Sequence, residues 1–188
     1  VKLKPSDYLC YSDGKESTML NVIVERKKSS FDCKFNKNLN SFENNIKNNT
    51  KDILKLYQGD ELLFECAVQS VANHPSVTTD NSIRAGKFEI KLFVEKRAFW
   101  NNVHGICNTT TKNGIAINEN SVNAGSPDRF LIHDKQKNKP ALENTETRNA
   151  YSAGCLIIAS VHMNMMNKIL VNKGCKPGDV ILGYVIEL

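Results

Sequence analysis

Apolar and polar residues alternate along Phe88-Glu89-Ile90-Lys91-Leu92, the two-residue period of a strand with one face in a core and the other toward water. That signal predicts a strand over 87–94, and shorter versions recur. Ile53-Leu54-Lys55-Leu56-Tyr57 and Leu62 to Val68, separated by Gln58-Gly59-Asp60-Glu61, read as a hairpin closed by a Gly-Asp turn. Leu20 to Val24, Ile115 to Asn118, Phe130 to His133, Cys155 to Ile158 and Val180 to Ile186 are further strand candidates. Helical spacing is rarer. Leu39, Phe42 and Ile46 predict a short amphipathic helix within the Asn- and Lys-rich stretch 35–51, and Met165 and Ile169, sharing a face with nearby apolar residues, predict another over 161–171. The second ends at Asn172-Lys173-Gly174, with Gly174 as its cap. The expected class is mainly β, sandwich or barrel-like, with one or two peripheral helices. Residues 1–52 are expected to form an N-terminal extension or first hairpin, and 53–188 the main domain.

Composition narrows the class without naming an activity. At 188 residues, 40% hydrophobic and 24% charged, the chain is long enough to bury a sizeable core. Its longest apolar run, Cys155 to Val161, is broken by Ser160 and falls far short of the roughly 20 residues a membrane helix needs. The start Val1-Lys2-Leu3-Lys4-Pro5 lacks the apolar stretch of a secretory signal, and a first residue other than Met points to a processed or trimmed product. A formal charge of +5 is mild, and the one tight basic cluster, Arg26-Lys27-Lys28, reads as a solvated turn. No nucleic-acid partner is expected.

Six cysteines, Cys10, Cys33, Cys66, Cys107, Cys155 and Cys175, include no C-x-x-C pair, so neither a zinc ribbon nor a thioredoxin-type centre is expected. One of the six stands apart. In Tyr151-Ser152-Ala153-Gly154-Cys155-Leu156-Ile157-Ile158, Gly154 permits a tight bend before an apolar run, and backbone N–H groups around Ser152 and Gly154 are placed to stabilise an oxyanion. A cysteine on such a bend, exposed at a strand edge, becomes a nucleophile when a histidine lies within hydrogen-bond reach. His133 closes the short strand Arg129-Phe130-Leu131-Ile132 and is the expected base. His162 follows Cys155 too closely and should point elsewhere, while His74 and His104 lie in turn-like segments. The other five cysteines read as small buried hydrophobes.

These residues resemble the L,D-transpeptidase catalytic domain, in which a histidine at a strand end is followed, after a variable loop, by Ser-x-Gly-Cys and apolar residues. The matching elements are Ile132-His133 and Ser152-Ala153-Gly154-Cys155-Leu156-Ile157. Ile83-Arg84-Ala85-Gly86-Lys87-Phe88-Glu89-Ile90 is similar to that family's Thr-Pro-x-Gly-x-Phe-x-Ile segment, and Gly174 to Ile181 to its closing strand after a helix. The resemblance covers roughly 54–188. It implies a catalytic domain of the L,D-transpeptidase type over 53–188, acting on peptidoglycan stem peptides through a Cys155 thioester, without metal or organic cofactor, in the periplasm or cell envelope.

Several positions depart from the pattern. Asp134 stands where the family has Gly after its histidine, Ile157 where it has Arg two places past the cysteine, and Ile83-Arg84 replace Thr-Pro. The missing Arg leaves three explanations open: a substrate without the usual stem carboxylate, a different reaction, or a basic residue such as Arg148 supplied by the loop 134–151. Arg148 and Tyr151 are therefore the expected substrate-binding residues, on a polar segment forming one wall of the cleft. A papain-like enzyme has the reverse order of cysteine and histidine. A non-catalytic module that keeps the fold is the second alternative.

Overall fold

The computed structural model describes residues 4–7, 19–32, 52–72, 82–93, 107–109, 130–133 and 154–188. Among them are eight strands, β1 (Leu20–Arg26), β2 (Asp52–Gln58), β3 (Glu61–Val68), β4 (Gly86–Lys91), β5 (Cys107–Thr109), β6 (Phe130–His133), β7 (Leu156–Ile157) and β8 (Val180–Glu187), and one α-helix, α1 (Ser160–Asn172). Short 3-10 turns occupy Pro5–Asp7 and Lys28–Asp32. The class is mainly β, as the alternation predicts. The helix expected around Leu39 to Ile46 and the strand expected over 115–118 lie outside the described residues.

All eight strands join one sheet in the order β3-β2-β1-β8-β4-β5-β6-β7. β1 pairs with β8, and β6 with β7, in parallel; the remaining neighbours are antiparallel. Residues 20–26, in the part expected to be an extension or first hairpin, thus form a central strand between β2 and β8. Gly59 and Asp60 make the turn between β2 and β3, and Gly59 takes the positive φ of 56° that such a turn demands.

The two ends of the strand order meet. Gln69, the residue after β3, forms an antiparallel bridge with Ile157 of β7. Both hydrogen bonds are made, Gln69 N–H to the Ile157 carbonyl at 2.8 Å and Ile157 N–H to the Gln69 carbonyl at 3.1 Å. The sheet closes on itself here and leaves no open edge at β7.

Period-two burial sorts the strands into two faces. Val22 and Val24, Leu54 and Leu56, Phe64, Cys66 and Val68, Phe88 and Ile90, Ile132, Leu156, Ile181 and Val185 join one core cluster. Gly183 lies on the same face because Phe88 covers it, and a Cβ there would collide with the ring. Helix α1 lays Met163, Met166 and Leu170 onto this core, three residues at helical spacing. Met165, expected on the apolar face, is instead exposed, while Ile169 packs partly against the core. The helix ends as predicted: Gly174 N–H bonds the Val171 carbonyl, Cys175 N–H bonds the Leu170 carbonyl, and Gly174 has φ of 87°. This is a Schellman termination, with glycine in the left-handed position.

The core face becomes polar at one end. Arg26 is fully buried rather than part of a solvated turn, because its even-numbered position on β1 points inward. Its Nε donates to Ser70 Oγ at 2.9 Å, and its Nη2 donates to the Ser70 and Ile83 carbonyls. Ser70 Oγ donates in turn to Asp52 Oδ2 at 2.6 Å, while Asp52 Oδ1 accepts Lys27 N–H and Ser30 Oγ, each at 2.8 Å. Glu187 Oε1 lies 3.5 Å from Arg26 Nη1. Burial lowers the Arg26 guanidinium to a pKa of about 10 and raises that of the Asp52 carboxyl, against the opposing pull of their partners.

Candidate active site

His133 and Cys155 come together through strand pairing. In the parallel pair β6–β7, Ile132 stands opposite Leu156 and His133 opposite Ile157. Residues opposite one another in a sheet share a face, and so do residues two apart on one strand. Ile132 and Leu156 belong to the core cluster, so His133 and Ile157 point the other way; Cys155, the residue before β7, is buried but is not a member of that cluster. A backbone hydrogen bond from Ile158 N–H to the His133 carbonyl, 3.1 Å, holds the strands in register.

The same logic places a third polar residue there. Gln69 is bonded face to face with Ile157, and it follows Val68, a core residue. Both facts put its side chain on the face of His133 and Cys155. Across the sheet run His133, Ile157 and Gln69. Cys155 immediately precedes that middle strand, and extending the register by one residue makes it diagonal to His133 on one side and to Gln69 on the other. Diagonal neighbours have Cα atoms about 7–8 Å apart, within reach of long side chains.

Each expected feature of the cysteine segment can be set against this geometry. Gly154 has φ of 133°, a backbone state that rejects a side chain, so the bend before Cys155 is real and needs its glycine. Cys155 is a thiol rather than half of a disulfide. It is not exposed at an edge, however: its exposure is 5% and that of His133 is 1%. Nor is β7 an edge strand, since it is paired by β6 on one side and by Gln69 on the other. Ser152, Tyr151 and Arg148, with the loop 134–151, lie outside the described residues, as do His74 and His104.

The neighbouring titratable groups have other settings. His162 sits in the first turn of α1, on the core side, with its ring edge-on to Phe64 at 5.7 Å between centroids. Burial lowers its pKa, and its Nδ1 has no hydrogen-bond partner. Its ring faces the core residue Phe64, elsewhere than the face of His133 and Ile157. Cys66 faces the core, where burial pushes its thiol up to about 12, an inert cysteine as read from sequence. Cys175 is half-buried, and its pKa is raised by burial and by Asp179. Among the described residues, no three His, Cys, Asp or Glu side chains are grouped to hold a metal ion, and no helix is long and apolar enough to cross a membrane.

The sequence is 31% identical over 161 residues to an uncharacterized protein of Treponema pallidum (strain Nichols), covering 79% of this chain and 71% of that protein. The chain belongs to that protein's family. No family model matches the sequence. Within this family member, Gln69 is the site residue that sequence reasoning missed. It stands in Val68-Gln69-Ser70 with no motif around it, and only its pairing with a strand far along the chain brings it to Cys155.

Proposed function

We propose that this protein is a cysteine-dependent acyl-transfer enzyme of the L,D-transpeptidase type, with Cys155 as nucleophile and His133 as base. One observation supports the reading: parallel β6–β7 pairing sets His133 on the face opposite the core, beside Ile157, with Cys155 entering the same strand one residue before Leu156. The bend at Gly154 supports it, because a positive-φ glycine before the nucleophile keeps the backbone there clear of a side chain, which suits close approach of a substrate carbonyl.

The chemistry follows from those two groups. His133 takes the thiol proton, and Cys155 Sγ attacks an amide carbonyl carbon, whose π electrons move to its oxygen. Collapse of that tetrahedral species breaks the C–N bond, the leaving amine takes the proton from His133, and a thioester remains. An incoming amine or water then gives a proton to His133, attacks the thioester and releases the thiolate. The proposed substrates are peptidoglycan stem peptides, in the periplasm or cell envelope, with Arg148 and Tyr151 as substrate-binding residues and Ser152 with Gly154 supporting the oxyanion. No cofactor takes part in this sequence of steps.

The burial of His133 and Cys155 favours a second reading, a non-catalytic module that keeps the fold. Intact-mass analysis after incubation with stem tetrapeptides or a carbapenem separates the two. The enzyme reading predicts a covalent adduct that is absent in Cys155→Ala; no adduct on the parent protein, or one that persists in the variant, rejects it.

A further inference from the structure

Burying a polar group without a partner costs free energy, so such groups are rare and call for an explanation. Gln69 is fully buried, and neither its Nε2 nor its Oε1 has a hydrogen-bond partner. Its neighbour Ser70, on the opposite face, sits in the Arg26–Asp52 network where every member has a partner. The backbone at Gln69 is also satisfied, through both bonds to Ile157. Only the carboxamide is left, and it is directed to the face of Cys155, on the side away from His133.

A carboxamide offers one donor and one acceptor side by side in a plane. Its complement is the N–H and C=O of a single extended peptide residue, which point the same way from a strand-like backbone. We infer that Gln69 binds the acyl donor of this site as an extended peptide. Nε2 donates to the oxygen of the carbonyl attacked by Cys155, and Oε1 accepts the N–H of the same residue. Gln69 thus has two tasks, recognition of an acyl residue that carries its own backbone N–H and stabilisation of the developing oxyanion. This inference rests on the assignment of Cys155 as the nucleophile.

The test uses Gln69→Met, which keeps side-chain length and removes both polar atoms, with Gln69→Leu as a second variant. Acylation of Cys155 by a peptide acyl donor is followed by intact mass, alongside labelling by methyl methanethiolsulfonate, a small thiol reagent that bears no amide. The expected result is a loss of peptide acylation of about 100-fold or more, with thiolsulfonate labelling within about twofold of the parent. The thermal midpoint should rise by about 2–4 °C, since an unpaired buried carboxamide has been replaced by an apolar group. A structural role for Gln69 predicts the opposite shift, a lower midpoint. Unchanged peptide acylation in both variants, or a fall in midpoint with equal loss of both reactions, overturns the inference and leaves Cys155 chemistry standing. Absence of acylation on the parent rejects the nucleophile assignment itself, and the role of Gln69 with it.

Discussion

Gln69 and Ser70 are consecutive residues facing opposite sides of one sheet, and both are completely buried. On the Ser70 side, the Arg26 Nε and Nη2, the Ser70 hydroxyl and both Asp52 oxygens are hydrogen-bonded, and Glu187 lies 3.5 Å from Arg26 Nη1. On the Gln69 side, a carboxamide with no partner is placed with a histidine and a thiol. Satisfied polar burial holds the chain in one arrangement, whereas unsatisfied burial beside reactive groups weakens the fold and is retained where a ligand completes it. Cys66 and Cys155 repeat the contrast: both are buried, but one is enclosed by the apolar core and the other shares its face with His133.

The largest expected break falls on the Gln69 side. His133→Ala should slow acylation of Cys155 by about 1,000-fold or more, as removal of a base from a nucleophile pair does elsewhere, while the thermal midpoint stays within a few degrees of the parent. Rapid-quench intact mass with calorimetry reads both quantities, and a comparable loss in His162→Ala would move the base to the wrong face for this account.

On the Ser70 side the expected loss is of fold rather than chemistry. Asp52→Ala removes the carboxylate that answers buried Arg26 and should cost about 3–5 kcal/mol in denaturant unfolding. A change under about 1 kcal/mol would mean that Glu187 and the carbonyls alone satisfy the guanidinium. Gly154→Ala lies between the two sides: its φ of 133° makes any side chain strained, at about 1–3 kcal/mol, with acylation impaired because a side chain there hinders close approach of the substrate carbonyl. Normal acylation in a stable Gly154→Ala variant would show that the bend is not needed.

The smallest effect sharpens the comparison from the core side. Burial holds the pKa of His162 below its ordinary 6.5, so the unfolded chain binds its proton more readily than the folded protein does. That contribution to stability is therefore present above pH 6.5 and is lost as pH falls through the lowered folded value. His162→Phe, which keeps an aromatic ring against Phe64, should flatten this part of the stability profile measured by chemical denaturation. An unchanged slope below pH 6.5 would place its origin in other groups.

Local pattern carried most of the strands, and topology carried what it could not. β6 begins and ends where the apolar stretch Phe130 to His133 does, and the β2–β3 turn sits at Gly59-Asp60, because both signals are short-range. β5 escaped notice because Cys107-Asn108-Thr109 is too short to show alternation. Met165 was assigned to the wrong side because the helix is apolar on more than one face, and only packing on β-strand residues selects Met163, Met166 and Leu170. In the site, Cys155, Gly154 and His133 were legible as a bend and a strand end. The position of β7 inside the sheet and of Gln69 beside it depends on one nonlocal bridge, which no residue spacing encodes.

The central claim is that His133 activates Cys155, and the relative labelling of Cys155 and Cys66 at pH 7 tests it most directly. Methyl methanethiolsulfonate is applied to the parent and to His133→Ala, and each cysteine is followed by peptide mass spectrometry. Activation predicts that Cys155 is modified at least about tenfold faster than Cys66 in the parent, and that the advantage disappears in the variant. Equal rates for the two thiols in the parent, or a Cys155 rate untouched by loss of His133, would contradict it.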